Sequence, residues 1–374
     1  MRTGRAMDGM SEIDGIGETG EMSDVCARKT AARISRRDML RGLAASALAL
    51  GVAGCAVPGF SPAATKAPSS GSPLLVYKGH SASVNGLAWS PDGTKIASAS
   101  SDQTVMIWNA ATGEALLAYR GHTKEVWDVG WSHDGTRLVT GSADNTAQVW
   151  DATTGKMIQT YAGHTNDVNS VSWSPDSTKI ASGSADHTTA IWDAATASTL
   201  YTYSRYLSFV FTVRWSPDGT RIASGSGDYT ARIFNAVTGG DPVVYRDHSQ
   251  AVNSIAWAPD STQVVSASSD GTAQVWDTIQ ANTIVNFTGH KGPVETVNWS
   301  PRGGRIASGG ADQLAQVWDA TNGSTIFTYR GHVSQNKIKG QPGGLLHAVA
   351  WSPDGSKIAS ASLDGVVHVW KAPA

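Results

Sequence analysis

The chain has 374 residues, a formal net charge of −2, 40 glycines and 14 tryptophans, and 16% of its residues are charged. A net charge this close to zero provides no basic field for a phosphate backbone, which argues against a nucleic-acid partner. Both cysteines, Cys26 and Cys55, precede residue 60, so the rest of the chain has neither a disulfide nor a thiolate metal site.

The N-terminal residues predict an export signal. Paired arginines, Arg36 and Arg37, stand before an apolar run of about ten residues that ends at Val52. That run is too short to span a bilayer as a helix, but it has the length of a signal-peptide core. The arginine pair with its following leucine resembles a twin-arginine export signal. The motif Val-Ala-Gly-Cys that ends at Cys55 resembles the lipobox of bacterial lipoproteins.

We therefore expect residues 1–54 to form a disordered leader with this signal. Residues 55–73, rich in Ala, Pro, Ser and Gly, are expected to form a flexible linker. The lipobox resemblance implies a lipid on Cys55 that holds the protein at the outer face of a bacterial membrane. Two alternatives stay open. Cleavage after Ala64 or Ala67 would give a secreted protein, and a false signal would leave the protein in the cytoplasm.

The remainder, residues 74–374, repeats at a fixed period. Six tryptophans from Trp89 to Trp299 stand 42 residues apart, and Trp351 follows after 52. Nineteen residues after each of them comes a second aromatic, in the series Trp108, Trp150, Trp192, Phe234, Trp276, Trp318 and Trp370. Among the tryptophans only Trp127 lies outside both series. Seven copies in one register indicate a repeat architecture.

Each repeat contains four short apolar segments separated by turn residues. In the first repeat these segments begin at Val84, Ile96, Thr104 and Ala115. Between the first two stands Pro-Asp-Gly, in which proline fixes φ and glycine accepts a positive φ, as a tight turn requires. Segments this short between such frequent turns favour strands over helices.

These features resemble the WD40-repeat family, which is marked by a Gly-His pair, a turn aspartate and a Trp-Asp pair at this period. The resemblance implies an all-β, seven-bladed propeller in which each four-stranded blade covers its neighbours. The segment Leu74–Tyr77, before the first repeat, resembles the last strand of every repeat. We therefore expect this N-terminal strand to pair beside Val366–Trp370 and close the ring.

The resemblance also implies a hydrogen-bonded set of His, Ser or Thr, Asp and Trp within each blade. A buried indole N–H needs an acceptor, which the hydroxyl can supply. With spacings of 18, 4 and 6 residues, the sets are His80, Ser98, Asp102 and Trp108; His122, Thr140, Asp144 and Trp150; His164, Ser182, Asp186 and Trp192; His248, Ser266, Asp270 and Trp276; and His290, Ser308, Asp312 and Trp318. Blade 7 keeps Ser360, Asp364 and Trp370, with His332 further back. Blade 4 lacks Gly-His, and Phe234 cannot donate a hydrogen bond.

Ser, His and Asp together also suggest a catalytic triad, and the histidines suggest zinc. Both interpretations fail because an active site occurs once, whereas this set recurs, and each histidine belongs to its own blade. The repeats also lack a P-loop, a His-Glu-x-x-His motif and a nucleophile elbow. We predict no catalytic residue, metal or cofactor. A propeller hydrolase or lyase that uses the central channel stays open as an alternative, and it would need carboxylates or histidines converging at the channel mouth.

Family members often bind proteins or peptides through residues three and five positions after the Gly-His histidine. Carried over by position, the candidates are Trp127, Phe209, Phe211, Glu125, Asp167, Glu295, Asn85, Asn169, Asn253 and His347, with Tyr206 nearby. Aromatic side chains with acidic neighbours favour a peptide that carries Lys or Arg. The alternative is that Trp127, Phe209 and Phe211 pack the blade ends. The insertion at residues 334–344 is expected to be a mobile loop on the same face. We predict a non-catalytic, monomeric scaffold or sensor.

Overall fold

The computed structural model describes residues 71–334, 337–338 and 340–373. These residues form thirty strands and no helix, and none of them belongs to a helix that could cross a membrane. Seven antiparallel sheets of four strands each are the blades of a ring. The predicted fold class, an all-β, seven-bladed propeller, is thereby confirmed. The export motif, with Arg36, Arg37 and Cys55, lies outside the described residues.

The strands follow the sequence period. Blade 1 consists of β2 (Val84–Trp89), β3 (Lys95–Ser100), β4 (Val105–Asn109) and β5 (Ala115–Tyr119). The next five blades repeat this order, with β6 (Val126–Trp131), β7 (Arg137–Ser142), β8 (Ala147–Asp151) and β9 (Met157–Tyr161) in blade 2; β10 (Val168–Trp173), β11 (Lys179–Ser184), β12 (Thr189–Asp193) and β13 (Thr199–Tyr203) in blade 3; β14 (Val210–Trp215), β15 (Arg221–Ser226), β16 (Ala231–Asn235) and β17 (Val243–Tyr245) in blade 4; β18 (Val252–Trp257), β19 (Gln263–Ser268), β20 (Ala273–Asp277) and β21 (Thr283–Phe287) in blade 5; and β22 (Val294–Trp299), β23 (Arg305–Gly310), β24 (Ala315–Asp319) and β25 (Thr325–Tyr329) in blade 6.

Blade 7 joins the two ends of the propeller. It contains β28 (Leu346–Trp351), β29 (Lys357–Ser362), β30 (Val367–Lys371) and the N-terminal strand β1 (Leu75–Tyr77). Strand β1 runs antiparallel to β30, and the backbone N–H of Leu74 donates to the carbonyl of Val369 at 2.7 Å. The predicted closure by the N-terminal strand is confirmed. Within the insertion before blade 7, β26 (Lys337–Ile338) and β27 (Gln341–Pro342) form a small hairpin.

The first tryptophan series joins neighbouring blades. The indole N–H of Trp89 donates to the carbonyl of Ala350 at 3.1 Å, and that of Trp131 donates to Ala88 at 3.2 Å. The same bond to the preceding blade is made by Trp173, Trp257 and Trp351. Seven clusters of buried apolar residues fill the spaces between the blades. The apolar clusters recur in every period because every blade meets the same kind of neighbour, whereas the indole bond is made in five of the seven blades and is absent at Trp215 and Trp299.

The first strand of each blade, which we call the inner strand, carries a β-bulge near its start. In β2 the pairing with β3 shifts between Val84 and Gly86, which leaves Asn85 outside the ladder. The other six inner strands shift at the equivalent place. A bulge re-aims the extra residue, so one side chain per blade is freed from the regular alternation at the same end of the ring.

Candidate functional site

The predicted histidine sets are internal to the blades. In blade 5, His248 Nδ1 lies 2.9 Å from Asp270 Oδ2 and its Nε2 lies 2.8 Å from Ser266 Oγ. The indole N–H of Trp276 donates to the same Ser266 Oγ at 3.1 Å. Burial alone would raise the pKa of Asp270, but hydrogen bonds from His248 and Thr272 lower it to about 2. All three contacts are also present in blade 3 (His164, Ser182, Asp186, Trp192) and blade 6 (His290, Ser308, Asp312, Trp318).

Blades 1 and 2 form the set without its tryptophan. In blade 1, His80 lies 2.9 Å from Asp102 and 2.8 Å from Ser98, but the indole N–H of Trp108 has no hydrogen-bond acceptor. Blade 2 has the same arrangement, with His122, Thr140 and Asp144 in contact and the Trp150 indole without an acceptor. The expected bond from the tryptophan is therefore absent in these two blades. Trp108 stacks on Tyr77 with ring centroids 4.8 Å apart, a contact that the second aromatic residue of every blade makes.

Blade 7 differs from the expected set at its aspartate. His332 reaches the usual site despite the insertion, with Nε2 2.8 Å from Ser360 Oγ, and Trp370 donates to that serine at 3.1 Å. The Nδ1 atom of His332 lies 3.0 Å from Ser362 Oγ. Asp364 accepts a hydrogen bond from Ser362 and makes none with the histidine. A second histidine, His368, stacks on His332 with ring centroids 4.1 Å apart. The expectation that Asp364 completes this set is thus corrected.

Blade 4 forms its own internal set, and Tyr206 belongs to it. We expected Tyr206 near the binding face, but it is only 5% exposed and donates to Ser224 Oγ at 2.6 Å. It stands 18 residues before Ser224, which is the histidine position of the other blades. The guanidinium of Arg232 lies 5.0 Å from the Tyr206 ring centre and donates to Asp228 Oδ2 at 3.1 Å. Tyrosine and arginine therefore replace the histidine contacts, while Phe234 fills the tryptophan site.

The inner strands surround a central channel with a volume of about 320 Å³. The residues at the bulge of each blade all line it: Asn85, Trp127, Asn169, Phe211, Asn253, Glu295 and His347. The residues two positions earlier, such as Glu125, Asp167 and Phe209, are not in its lining. The candidates at the bulge therefore line the channel, whereas the candidates two positions earlier do not. The bulge produces this difference.

Three of the channel residues tie blades together. The side-chain amide of Asn85 donates to the carbonyl of Val126 at 2.9 Å, in the next blade. The amides of Asn169 and Asn253 make the same bond at 3.0 Å, and both side chains are buried. These asparagines, expected as binding residues, have a structural role that uses their donor groups.

Trp127 and Phe211 are mostly buried, with 7% and 4% of their surfaces exposed. Most of the surface of each ring is therefore buried, as the packing alternative expects. The Trp127 indole interacts with the carboxylate of Asp167, which is 9% exposed. Burial raises the pKa of Asp167, and the charge of Glu125 raises it further, whereas Lys124 and the indole act in the opposite direction. An acidic, partly desolvated pair thus lies beside Trp127.

Blade 4 exposes apolar side chains at the same end of the ring. Leu207 is 86% exposed and Tyr229 is 50% exposed. Both belong to adjoining loops, because the Leu207 N–H donates to the carboxylate of Asp228 at 3.1 Å. Phe209 is half-buried and contacts the ring of His187 in blade 3, with centroids 5.4 Å apart. We call Leu207, Phe209 and Tyr229 the blade-4 patch.

Sequence reasoning missed Leu207 and Tyr229, although a signal was present. In the other six blades the position of Leu207 holds Ser81, Thr123, Thr165, Ser249, Lys291 and Val333. The position of Tyr229 holds Gln103, Asn145, His187, Gly271, Gln313 and Gly365. A leucine and a tyrosine are thus departures from a mainly polar pattern, and the backbone of Tyr229 has φ near 69°, a conformation that bulky residues seldom adopt.

Comparison with known families identifies the repeat. The family model described as "WD domain, G-beta repeat" matches residues 71–109, 113–151, 155–193, 197–235, 242–277, 281–319 and 323–371. No curated protein sequence matches the chain. Among the described residues, no three His, Cys, Asp or Glu side chains are grouped as ligands of a metal ion would be.

Proposed function

Because the chain belongs to the WD40-repeat family, we propose that its propeller is a non-catalytic module that binds one peptide segment of a protein partner. The proposed site is the end of the ring that carries the blade-4 patch and the acidic pair Glu125–Asp167. Propellers of this family are typically scaffolds that bind proteins or peptides.

The exposure of the blade-4 patch carries this proposal. Blade 4 already closes its internal set through Tyr206 and Arg232, so Leu207 and Tyr229 are not needed to fill it. Apolar side chains that stay in water where most other blades have polar residues are typical of contact surfaces. We infer that the patch receives an apolar side chain of the partner.

The acidic pair supplies the second element of recognition. Glu125 belongs to blade 2 and Asp167 to blade 3, and blade 3 adjoins blade 4, which carries the patch. Burial and mutual repulsion raise the pKa of Asp167, so a neighbouring cation would lower the free energy of the ionised pair. The preferred ligand is therefore a segment with an apolar residue and a Lys or Arg.

Selection from a displayed peptide library tests this proposal. The double variant Leu207→Ser and Tyr229→Asn introduces residue types that other blades have at these positions, so the fold is retained. It should lose the apolar enrichment and about tenfold or more in affinity. The variant Asp167→Asn should lose only the basic enrichment. Trp127→Ala and Phe211→Ala are poor probes, because both rings are buried.

A matched control is Ser249→Ala with Gly271→Asn, at the equivalent positions of blade 5, which should leave selection unchanged. Selection of acidic peptides, or equal selection by the control and by the Leu207 and Tyr229 variant, would contradict the proposed site.

We further propose that the protein is exported and lipid-anchored through Cys55, with a monomeric propeller on the outer side of a bacterial membrane. Support comes from the order of Arg36 and Arg37, the apolar run and Cys55 in the sequence. Cell fractionation and intact mass test this directly. A membrane form that begins at Cys55 with added lipid mass is expected, and it should be lost in Cys55→Ala. A secreted form with a later start, or a full-length cytosolic form, would contradict it.

A further inference from the structure

The wall of the central channel carries one ion pair that the repeat does not require. Arg214 on β14 stands where the other blades have the small or neutral residues Ala88, Gly130, Ser172, Ala256, Asn298 and Ala350. Asp128 on β6 likewise stands where the others have Gly86, Ser170, Thr212, Ser254, Thr296 and Ala348. Both residues line the channel. The charged pair is therefore a departure confined to one side of the ring.

The pair connects three blades through a single nitrogen of the arginine. Arg214 Nη1 donates to Asp128 Oδ2 at 3.1 Å, to Ser170 Oγ at 2.8 Å and to the carbonyl of Val213 at 2.8 Å. Asp128 Oδ2 also accepts from Ser170 Oγ at 2.9 Å and from the N–H of Val171 at 3.1 Å. The carboxylate is thus well supplied with donors, and its side chain is only 11% exposed.

Neutral groups do the same joining elsewhere in the ring. The N–H of Val297 donates to Ser254 Oγ at 3.2 Å, and that of Val349 donates to Thr296 Oγ1 at 3.3 Å. Hydroxyl groups therefore suffice to tie one inner strand to the next. Because desolvating a charged pair is costly, its presence in the channel calls for a role beyond joining blades.

One edge of the Arg214 guanidinium makes no hydrogen bond within the described residues. Its side chain is 37% exposed, and its hydrogen bonds within the described residues all use Nη1. The opposite edge, formed by Nε and Nη2, is the one that holds a carboxylate with two parallel hydrogen bonds. At the positions equivalent to Asp128 and Arg214, blades 7 and 1 have the small residues Ala348, Ala350, Gly86 and Ala88, all of which line the channel. These four positions therefore add little side-chain bulk to the channel.

We propose that the Nε–Nη2 edge of Arg214 binds the carboxylate of a small organic monoanion inside the central channel. The channel volume of about 320 Å³ suits a ligand of a few carbon atoms. A singly charged ligand is selected because Asp128 already balances the charge of Arg214, so a dianion would bring one uncompensated negative charge close to the aspartate. This site is separate from the blade-4 patch and does not depend on peptide binding.

Ligand-observed NMR titrations of the purified full chain with butyrate, benzoate and sulfate test the proposal. The monocarboxylates should bind saturably and sulfate should not. Arg214→Lys keeps a positive charge beside Asp128 but lacks the planar edge, so monocarboxylate affinity should fall by about tenfold or more. Asp128→Asn keeps an oxygen acceptor for Ser170 and Val171 and removes the negative charge, so monocarboxylate affinity should rise and sulfate should begin to bind.

Two further variants keep the test decisive if the ion-pair variants unfold. Ala88→Leu fills the channel from the opposite wall without touching the pair and should also block binding. Arg221→Lys, on β15 and outside the channel lining, is the matched control and should bind like the wild type. Three results would overturn the proposal: absence of saturable binding in the wild type, wild-type affinity in both Arg214→Lys and Ala88→Leu, or loss of affinity in Asp128→Asn.

Discussion

Blades 4 and 7 both depart from the regular hydrogen-bond set, and both do so through the same strand position. Two residues before the second aromatic, blade 4 has Arg232 and blade 7 has His368, where blades 2, 5 and 6 have Gln148, Gln274 and Gln316. Each substituted side chain contacts the residue at the histidine position. Arg232 lies over Tyr206 at 5.0 Å, and His368 stacks on His332 at 4.1 Å.

The two blades accommodate a basic side chain in opposite ways. Arg232 is 8% exposed and always charged, and Asp228 pairs with it at 3.1 Å. In blade 7, burial lowers the pKa of His332 well below its ordinary value, and the neighbouring His368 lowers it further. Burial also lowers the pKa of His368 to about 4. Both rings are therefore neutral near pH 7, and Asp364 is free to bond elsewhere. Charge pairing stabilises one blade and neutrality stabilises the other.

The largest expected effect is the loss of the carboxylate in blade 4. Asp228→Asn leaves Arg232 as a buried charge without its partner, which should lower the free energy of unfolding by about 3 kcal/mol. Asp364→Asn in blade 7 removes a carboxylate that bonds to Ser362 and to backbone, so about 1 kcal/mol is expected. Urea denaturation of the two variants measures the difference.

Two controls show whether the unpaired charge is the cause. Asp270→Asn in blade 5 removes the same turn contacts but leaves no arginine without its partner, because Gln274 stands at the position of Arg232, so its cost should be close to that of Asp364→Asn. Adding Arg232→Gln to Asp228→Asn should restore most of the lost stability, because both members of the pair are then neutral. Equal costs in blades 4 and 7, with no restoration, would show that the pairing is unimportant.

The second prediction concerns acid. The pKa values of His332 and His368 are lowered by folding, so their stabilising effect is complete above the ordinary histidine pKa and is lost as the pH falls below it. As the pH falls from 6.5 to 4, the free energy of unfolding should decrease by up to about 1.4 kcal/mol per pH unit for each histidine that stays unprotonated in the folded state. Carboxylates such as Asp186, with its pKa at about 2, contribute only at lower pH.

The variant His368→Gln separates the two blades in this pH window. Glutamine is the residue of blades 2, 5 and 6 at this position, so the fold should persist while part of the acid sensitivity disappears. The charges of Asp364 and Lys78 act on His368 in opposite directions, and both stay in place in this variant. Arg232→Gln in blade 4 should leave the slope unchanged. An unaltered slope in His368→Gln would place the acid-sensitive groups outside blade 7.

The period of the sequence was sufficient to predict the blade number and the closure by Leu75–Tyr77, because both depend on counting strands. The spacing of 18 residues before Ser224 also identifies position 206, but the missing Gly-His pair led us to place Tyr206 near the surface. The pair of Arg232 and Asp228 could not be predicted by comparing single positions. It depends on two replacements in the same blade, Tyr206 at the histidine position and Arg232 two residues before Phe234. The channel-facing side chains depend on bulges that a 42-residue period does not reveal.

The smallest expected loss of stability comes from removing a single tyrosine hydroxyl group beside each of the two blades. Tyr206→Phe removes a donor to Ser224, but that serine still donates to the carbonyl of Arg232 at 3.3 Å and the ring still lies under the guanidinium. About 0.5–1 kcal/mol should be lost. Tyr329→Phe removes the hydroxyl that is hydrogen-bonded to His368 Nδ1 at 2.8 Å, and the buried nitrogen then lacks this partner, so about 1–2 kcal/mol is expected. Thermal unfolding above pH 7 compares the pair without histidine protonation. A larger loss from Tyr206→Phe would mean that the hydroxyl, rather than the Arg232–Asp228 pair, holds blade 4 together.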